Sequence, residues 1–122
     1  MNSIQRDLDT RRLLISDGAW GTLLAAKGLQ PGECPELWNV THPEAVAGIA
    51  RGYLEAGSDL ISTNTFGGTR IKLSRFGLGD RAAELNEAAA ALTRGVVGTE
   101  KHVFASVGPT GTILMMGEVT ER

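Results

Sequence analysis

The sequence predicts an α/β fold in which parallel strands are joined by crossover helices. Three short apolar segments rich in branched residues each end in a polar, glycine-containing turn. Segments with helical periodicity lie between them. This alternation is typical of an open doubly wound sheet or of a closed (β/α)8 barrel. About three strands are predicted, whereas a barrel of this type usually has roughly 250 residues.

Length and composition indicate one globular domain. The chain has 122 residues, 42% of them hydrophobic and 21% charged, with a formal net charge of −2. Disorder is therefore not expected, and no nucleic-acid partner is indicated. Cys34 is the only cysteine, which excludes an intrachain disulfide and favours a reducing compartment. With no apolar stretch of about 20 residues, we expect a cytoplasmic protein without a membrane partner.

The first third of the chain is predicted to contain one strand and one brief helix. Residues 1–12 form a polar segment without the apolar core of a signal peptide. Residues 11–16 read as a buried strand that stops at a turn. Residues 22–27 are expected to be helical, and residues 28–39, with two prolines and two glycines, are expected to be an irregular loop.

The second helix has the clearest start signal. Thr41 is expected to cap it, with Glu44 completing a capping box and Pro43 in the first turn. Gly57 is expected to take the left-handed conformation just beyond its end. A second strand is predicted over residues 59–65. The apolar face of this helix is predicted to comprise Val46, Ile49, Ala50, Tyr53 and Leu54.

The rest of the chain repeats the pattern. A short helix is predicted over residues 69–75, and a longer helix, capped by Asp80, is predicted to reach about Val97. A third strand covers residues 102–107, and residues 118–122 read as a helix or loop. The apolar stripe of the longer helix is predicted to comprise Leu85, Ala88, Ala89, Leu92 and Val96.

Candidate site residues stand where the predicted strands end, because ligands of parallel α/β proteins bind at the carboxyl ends of strands. Asp17 follows the first strand and is a candidate acceptor for a substrate ammonium group. A structural role in closing the turn is equally consistent with its position. Asn64 ends the second strand and suits either a substrate carboxylate or the loop backbone.

Four ordered motifs resemble the homocysteine S-methyltransferase family. The first is the run from Asp17 to Thr22, and the second joins Asn39–Pro43 to Tyr53–Asp59. The third is Thr63-Asn64-Thr65-Phe66, and the fourth is Gly108-Pro109-Thr110. The resemblance extends from about Leu13 to Thr112 and implies that residues 13–122 are the N-terminal part of a (β/α)8 TIM barrel, incomplete at its C-terminus.

The resemblance also implies a function and a site. The expected reaction transfers a methyl group to the thiol of homocysteine or a similar small-molecule acceptor, with a corrinoid protein or a folate as donor. Asp17 is expected to hold the amino-acid end of the substrate, while Gly18, Thr63, Asn64 and Thr65 shape the same pocket. Family members bind zinc through three cysteines in the second half of the barrel. We assign no catalytic or metal-binding residue here, and we expect this chain alone to be inactive.

Two other interpretations remain open at this point. The chain could be a non-catalytic module that assembles with itself or with a complementary chain through exposed sheet edges. It could also be a small open-sheet domain that binds an anionic metabolite at the glycine-rich strand ends.

Overall fold

The computed structural model describes residues 3–11 and 13–117. Strands β1 (Leu60–Ser62) and β2 (His102–Phe104) lie among six α-helices and three one-turn 3₁₀ helices. The α-helices are α1 (Ser3–Arg11), α2 (Gly21–Ala26), α3 (Trp38–Thr41), α4 (Pro43–Glu55), α5 (Arg70–Ser74) and α6 (Ala82–Val97). The 3₁₀ helices are Pro35–Leu37, Gly79–Arg81 and Leu114–Met116. Residues 118–122, for which a helix or loop was predicted, lie outside the described residues.

The two strands are parallel, as predicted. Leu60 lies opposite His102, and Ser62 lies opposite Phe104. On the other side of β1, Ser16 forms an isolated parallel bridge with Leu60, so the first extended segment lies beside β1. The first predicted strand is therefore wrong in extent: Arg11 ends α1, and pairing is limited to Ser16.

The other two strands are also shorter than predicted. After Ser62 and Phe104, the polar residues bond to one another rather than extend the ladder. The Thr65 amide donates to the Thr63 carbonyl at 2.9 Å, and the Thr65 hydroxyl donates to the Ser106 carbonyl at 2.7 Å. These contacts end the strands early and form the loops at their C-terminal ends.

Helices α4 and α6 cover one face of the strand pair. Ile61 of β1 is fully buried and clusters with Ala50 of α4 and Val97 of α6. The predicted α4 face is confirmed at Val46, Ile49 and Ala50, which are buried. In α6 the fully buried positions are Leu85, Ala89 and Thr93, whereas Ala88, Leu92 and Val96 are half-buried. The polar Thr93 fits there because its hydroxyl donates to the Ala89 carbonyl.

The predicted cap of α4 is wrong. His42 precedes the first helical residue and makes no side-chain capping bond. Thr41 is instead the last residue of α3, and its hydroxyl donates to the Leu37 carbonyl. The last two residues of the predicted irregular loop, Trp38 and Asn39, thus begin α3, and both are buried in the core. At the other end, Gly57 has a φ of 100°, which confirms its left-handed conformation.

The predicted cap of α6 is also wrong. Asp80 lies inside the 3₁₀ turn Gly79–Arg81, and Arg81 precedes the helix without a side-chain capping bond. Arg81 pairs with Glu84 at 2.8 Å on the exposed surface. The short predicted helix is confirmed as α5, where the Thr69 hydroxyl accepts a hydrogen bond from the Lys72 amide.

Helix α1 was not predicted, and it is held by charges at the N-terminal ends of the strands. Asp59, 1% exposed, accepts hydrogen bonds from Arg11 at 2.7 Å and Lys101 at 2.6 Å. Its second oxygen accepts the Ile15 amide at 3.0 Å. These partners hold the pKa of Asp59 well below its usual range. Asp59 therefore joins α1 to all three extended segments.

Candidate functional site

A cavity of about 350 Å³ lies at the C-terminal ends of the strands. It brings together four segments that are far apart in the sequence. The lining comprises Gly18, Trp20, Gly21 and Leu24, then Pro35 and Glu36, then residues 62–66, and Ser106. A cavity of about 550 Å³ also lies between α2 and α4, but its lining is mainly apolar and includes no residue of the strand ends. The cavity at the strand ends has more polar side chains in its lining and is the better candidate site.

The structure brings four of the five predicted site residues together. Gly18, Thr63, Asn64 and Thr65 line the cavity, whereas Asp17 does not. The carboxylate of Asp17 accepts hydrogen bonds from the Ser62 amide at 2.8 Å, the Ser62 hydroxyl at 3.0 Å and the Trp20 indole at 2.9 Å. Asp17 therefore ties the first loop to β1 and orients Trp20 at the cavity wall.

Thr63 and Thr65 are buried and hydrogen-bonded to each other. Their hydroxyl oxygens are 2.6 Å apart, and the Thr65 hydroxyl donates to the Ser106 carbonyl. Because the Thr65 proton is used in that bond, Thr63 is the donor in the threonine pair. The Thr63 oxygen also accepts the Ser106 amide at 3.3 Å. The two hydroxyls thus join the loops that follow β1 and β2.

Asn64 is held by a second buried asparagine that the sequence analysis did not single out as a site residue. The Asn64 amide nitrogen donates to the Asn39 side-chain oxygen at 3.0 Å and to the Pro35 carbonyl at 2.9 Å. The Asn39 amide nitrogen donates to the carbonyls of Asn64 at 2.9 Å and Leu85 at 3.1 Å. Both amide hydrogens of Asn64 are therefore engaged within the protein.

Glu36 is a cavity residue that sequence reasoning missed. It is 5% exposed, and one carboxylate oxygen accepts the Gly67 amide at 2.5 Å. The other lies 3.5 Å from the Cys34 sulfur. Burial raises the pKa of the Cys34 thiol above its usual value, and the Glu36 charge adds to that effect. The available signal was a glutamate between Pro35 and the apolar Leu37-Trp38 in an otherwise polar loop.

Two glycines are required where the loops meet. A side chain at Gly108 would collide with the Phe66 carbonyl, which accepts the Gly108 amide at 3.0 Å. A Cβ at Gly67 would lie 2.7 Å from the Glu36 carboxylate oxygen. Glycine permits this close approach because it has no side chain to displace the neighbour.

The three-cysteine zinc site implied by the resemblance cannot be built from the residues present. Across residues 3–11 and 13–117, no group of three or more histidine, cysteine, aspartate or glutamate side chains is placed to hold a metal ion. Cys34 is the only cysteine in the sequence, and it is buried. A three-thiolate ligand set would have to come from residues outside this chain.

Parallel strands, crossover helices and a cavity at the carboxyl ends of the strands define an α/β protein with a candidate site at the usual place for this class. The family model for homocysteine S-methyltransferase matches residues 14–122. The chain belongs to the homocysteine S-methyltransferase family.

Individual relatives agree with this assignment. Methionine synthase of Mycobacterium tuberculosis (strain ATCC 25618 / H37Rv) is 32% identical in an alignment that is 123 residues long. The alignment covers 91% of this chain and 10% of that protein. Methionine synthase of Mycobacterium leprae (strain TN) is 30% identical, over 99% of this chain and 11% of its own length. The chain thus spans about a tenth of these relatives.

A solved structure has the same fold over nearly the whole chain. The homocysteine methyltransferase MmuM from Escherichia coli, in a metallated form, superposes with a TM-score of 0.76 at 26% identity. The superposition covers 96% of this chain and 44% of that one. Among the residues that the structure describes, no helix is both long enough and apolar enough to cross a membrane.

Proposed function

We propose that this chain is the N-terminal part of a methyltransferase that transfers a methyl group to the thiol of homocysteine or a similar acceptor. The observation that carries the proposal is the cavity at the strand ends, which is lined by Gly18, Trp20 and Gly21 of the first motif that resembles the family and by the motif Thr63-Asn64-Thr65-Phe66. The proposed domain covers residues 13–122, is preceded by the polar segment 1–12, and forms the first part of a (β/α)8 barrel. The proposed location is cytoplasmic.

The proposed role of the cavity is to bind the amino-acid end of the thiol substrate. Thr63, Asn64 and Thr65 form a rigid floor, because their side chains are buried and bonded to neighbouring loops. Gly18 lines the cavity and lies close to Tyr53, since a Cβ added at Gly18 would be 3.1 Å from the Tyr53 hydroxyl. Asp17 supports the site through Trp20 and Ser62. Direct contact between Asp17 and the substrate ammonium group stays a prediction.

The reacting thiolate and the methyl donor belong to the complete domain. Zinc is proposed for that domain, with three cysteine ligands that this chain does not contain. A bound metal would keep the substrate sulfur in its nucleophilic thiolate form. A corrinoid protein or a folate is the proposed donor. The isolated chain is therefore expected to bind substrate without turning it over.

The direct test is a titration of the ¹⁵N-labelled chain with L-homocysteine under reducing conditions. We expect amide shifts at Gly18, Thr63 and Thr65. Thr65→Val should weaken binding because it breaks the bonds to Thr63 and Ser106. The matched control is Thr99→Val, an exposed threonine in the turn before β2. Shifts confined to the opposite ends of the strands would contradict the proposed site.

A second candidate role is assembly through the exposed side of the strand pair. Leu13 is 69% exposed, Ile15 55% and Val107 83%, which leaves apolar surface beside the strands. Partner strands from a second copy or a complementary chain would cover this surface. Size-exclusion chromatography with light scattering tests the idea, and a monomer at micromolar concentration would argue against it.

A further inference from the structure

The cavity contains a buried carboxylate without a cationic partner. Glu36 is 5% exposed, and among the described residues no lysine, arginine or histidine nitrogen forms an ion pair with it. Its contacts are the Gly67 amide on one oxygen and the Cys34 thiol on the other. A thiol is a weak donor, and an ionised carboxylate has about four acceptor positions. Glu36 therefore retains unused acceptor capacity.

Asp17, unlike Glu36, has its hydrogen-bond acceptor positions occupied by the protein. Its two oxygens receive four hydrogen bonds, from the Ser62 amide and hydroxyl, the Trp20 indole and the Ser16 hydroxyl at 3.3 Å. These bonds fill about as many acceptor positions as a carboxylate has. An ammonium group would have to displace one of them to reach Asp17. Among the residues that line the cavity, Glu36 is the only one with a carboxylate.

We infer that Glu36 is a specificity-determining residue that accepts hydrogen bonds from the ammonium group of the substrate. The inference rests on the proposed function, because it assigns the amino end of that same substrate. Burying an unpaired anion is costly, and a ligand cation in the cavity would offset that cost through a charge-assisted hydrogen bond. The ligand class is a primary amine, here the α-amino group of a thiol amino acid.

Lys72 and Arg75 are the protein cations that compete for Glu36. Both line a neighbouring cleft of about 250 Å³ that Glu36 also borders. Neither is within ion-pair distance, and Arg75 donates to the Gly111 carbonyl at 3.3 Å while Lys72 lies 5.7 Å from the Phe66 ring centroid. In the described arrangement the Glu36 charge is therefore available to a ligand.

The experiment compares L-homocysteine with 4-mercaptobutanoate, which lacks only the α-amino group. Both dissociation constants are measured for the wild-type chain, for Glu36→Gln and for the control Glu44→Gln, an exposed glutamate in the first turn of α4. Glutamine keeps an acceptor for the Gly67 amide and removes the charge. We expect the wild type to prefer L-homocysteine by roughly 10- to 100-fold. Glu36→Gln should abolish most of this preference, and Glu44→Gln should keep it.

A second readout needs no variant and covers the case in which Glu36→Gln does not fold. The Gly67 amide donates to Glu36, so its nitrogen and proton shifts should change with L-homocysteine but not with 4-mercaptobutanoate. Equal Gly67 shifts with both ligands, or an unchanged preference in a folded Glu36→Gln chain, would overturn the role of Glu36 alone. No binding of either thiol by the wild type would overturn the proposed function together with this role.

Discussion

At the N-terminal ends of the strands, Asp59 is buried against Arg11 and Lys101. At the C-terminal ends, Glu36 is buried without a cation among the described residues, although it too accepts a backbone amide. Both carboxylates are almost fully inaccessible, at 1% and 5% exposure. The difference lies in charge compensation, because Arg11 and Lys101 pair with Asp59, whereas none of the described residues forms an ion pair with Glu36.

This difference matches the division of labour in parallel α/β folds, where the carboxyl ends of strands hold ligands and the amino ends contribute to stability. At the amino ends, a second side-chain contact joins the Asp7 carboxylate of α1 to the His102 imidazole of β2 at 2.7 Å. At the carboxyl ends, the contacts are mainly neutral bonds among threonines, asparagines and carbonyls. The same two strands therefore connect an end held by ion pairs to an end held mainly by neutral hydrogen bonds.

Asp59→Ala should lower the stability of the protein most, because it removes the carboxylate that is buried at the amino ends of the strands. It leaves the Ile15 amide and the Lys101 ammonium without their shared acceptor and removes the contact of Arg11 in α1 with the strands. We expect the largest loss of thermal stability of any substitution considered, measured by circular dichroism. Glu84→Ala, which breaks the exposed pair with Arg81, is the matched control and should have little effect. Equal melting temperatures for the two variants would remove Asp59 from its structural role.

Asp59 also predicts a pH dependence. Its pKa in the folded state is well below its usual value, with the Lys101 hydrogen bond as the largest cause. The stabilisation is therefore fully present above the unfolded pKa of about 3.9 and is lost as the pH falls toward the folded pKa. Wild-type melting temperatures should drop below about pH 4 more steeply than those of Asp59→Asn. Parallel pH profiles for the two proteins would contradict this assignment.

Local sequence patterns predicted the helices whose buried faces follow a periodic apolar spacing. They did not predict helix α1, whose position depends on contacts between residues that are far apart in the sequence. The apolar spacing in α4 located its buried face, and Gly57 marked its end, because both signals lie within a few residues of the helix. Helix α1 has no buried residue, and most of its residues are polar. Its position depends on Arg11 reaching Asp59, 48 residues away, and on Asp7 reaching His102, 95 residues away.

The same limit applies to the candidate site: residues marked by the local sequence were predicted, and residues placed by long-range contacts were missed. Asn64 was singled out because it lies at the polar end of a predicted strand, and Thr63 and Thr65 were added by the family resemblance; all three line the cavity. Glu36 was missed because its loop has no periodicity and its amide partner, Gly67, is 31 residues away. Asp17 was correctly placed at a strand end, but its hydrogen bonds to Ser62 depend on the register between two strands.

Asn39→Ala should have the next largest effect, at the carboxyl ends. The substitution removes the acceptor of the Asn64 amide and the donor to the Asn64 and Leu85 carbonyls. Buried groups left without partners should lower the free energy of unfolding by about 3 kcal/mol, measured by urea denaturation. Asn86→Ala is the matched comparison, because Asn86 is half-buried and its amide bonds to the Gly68 and Ala82 carbonyls. It should cost less, and the reverse order would contradict a central role for Asn39.

The smallest expected effect is on the reactivity of Cys34. It tests whether Glu36, unlike Asp59, carries a charge that no cation of the protein compensates. Burial and the nearby Glu36 charge raise the pKa of Cys34, so its thiolate is scarce at neutral pH. Alkylation by iodoacetamide should therefore be slow in the folded chain and fast after unfolding. Glu36→Gln removes the charge repulsion and should speed the folded-state reaction modestly, whereas Glu44→Gln should not.

The pH dependence of this alkylation separates the charge effect from a loosened loop. If Glu36 acts through its charge, Glu36→Gln shifts the rise in rate to lower pH while the maximal rate at high pH stays the same. A loosened loop would instead raise the rate at every pH by the same factor, because exposure of the thiol does not depend on the ionised fraction. An unshifted profile would mean that the Glu36 charge is already neutralised in the chain, which would contradict the contrast with Asp59.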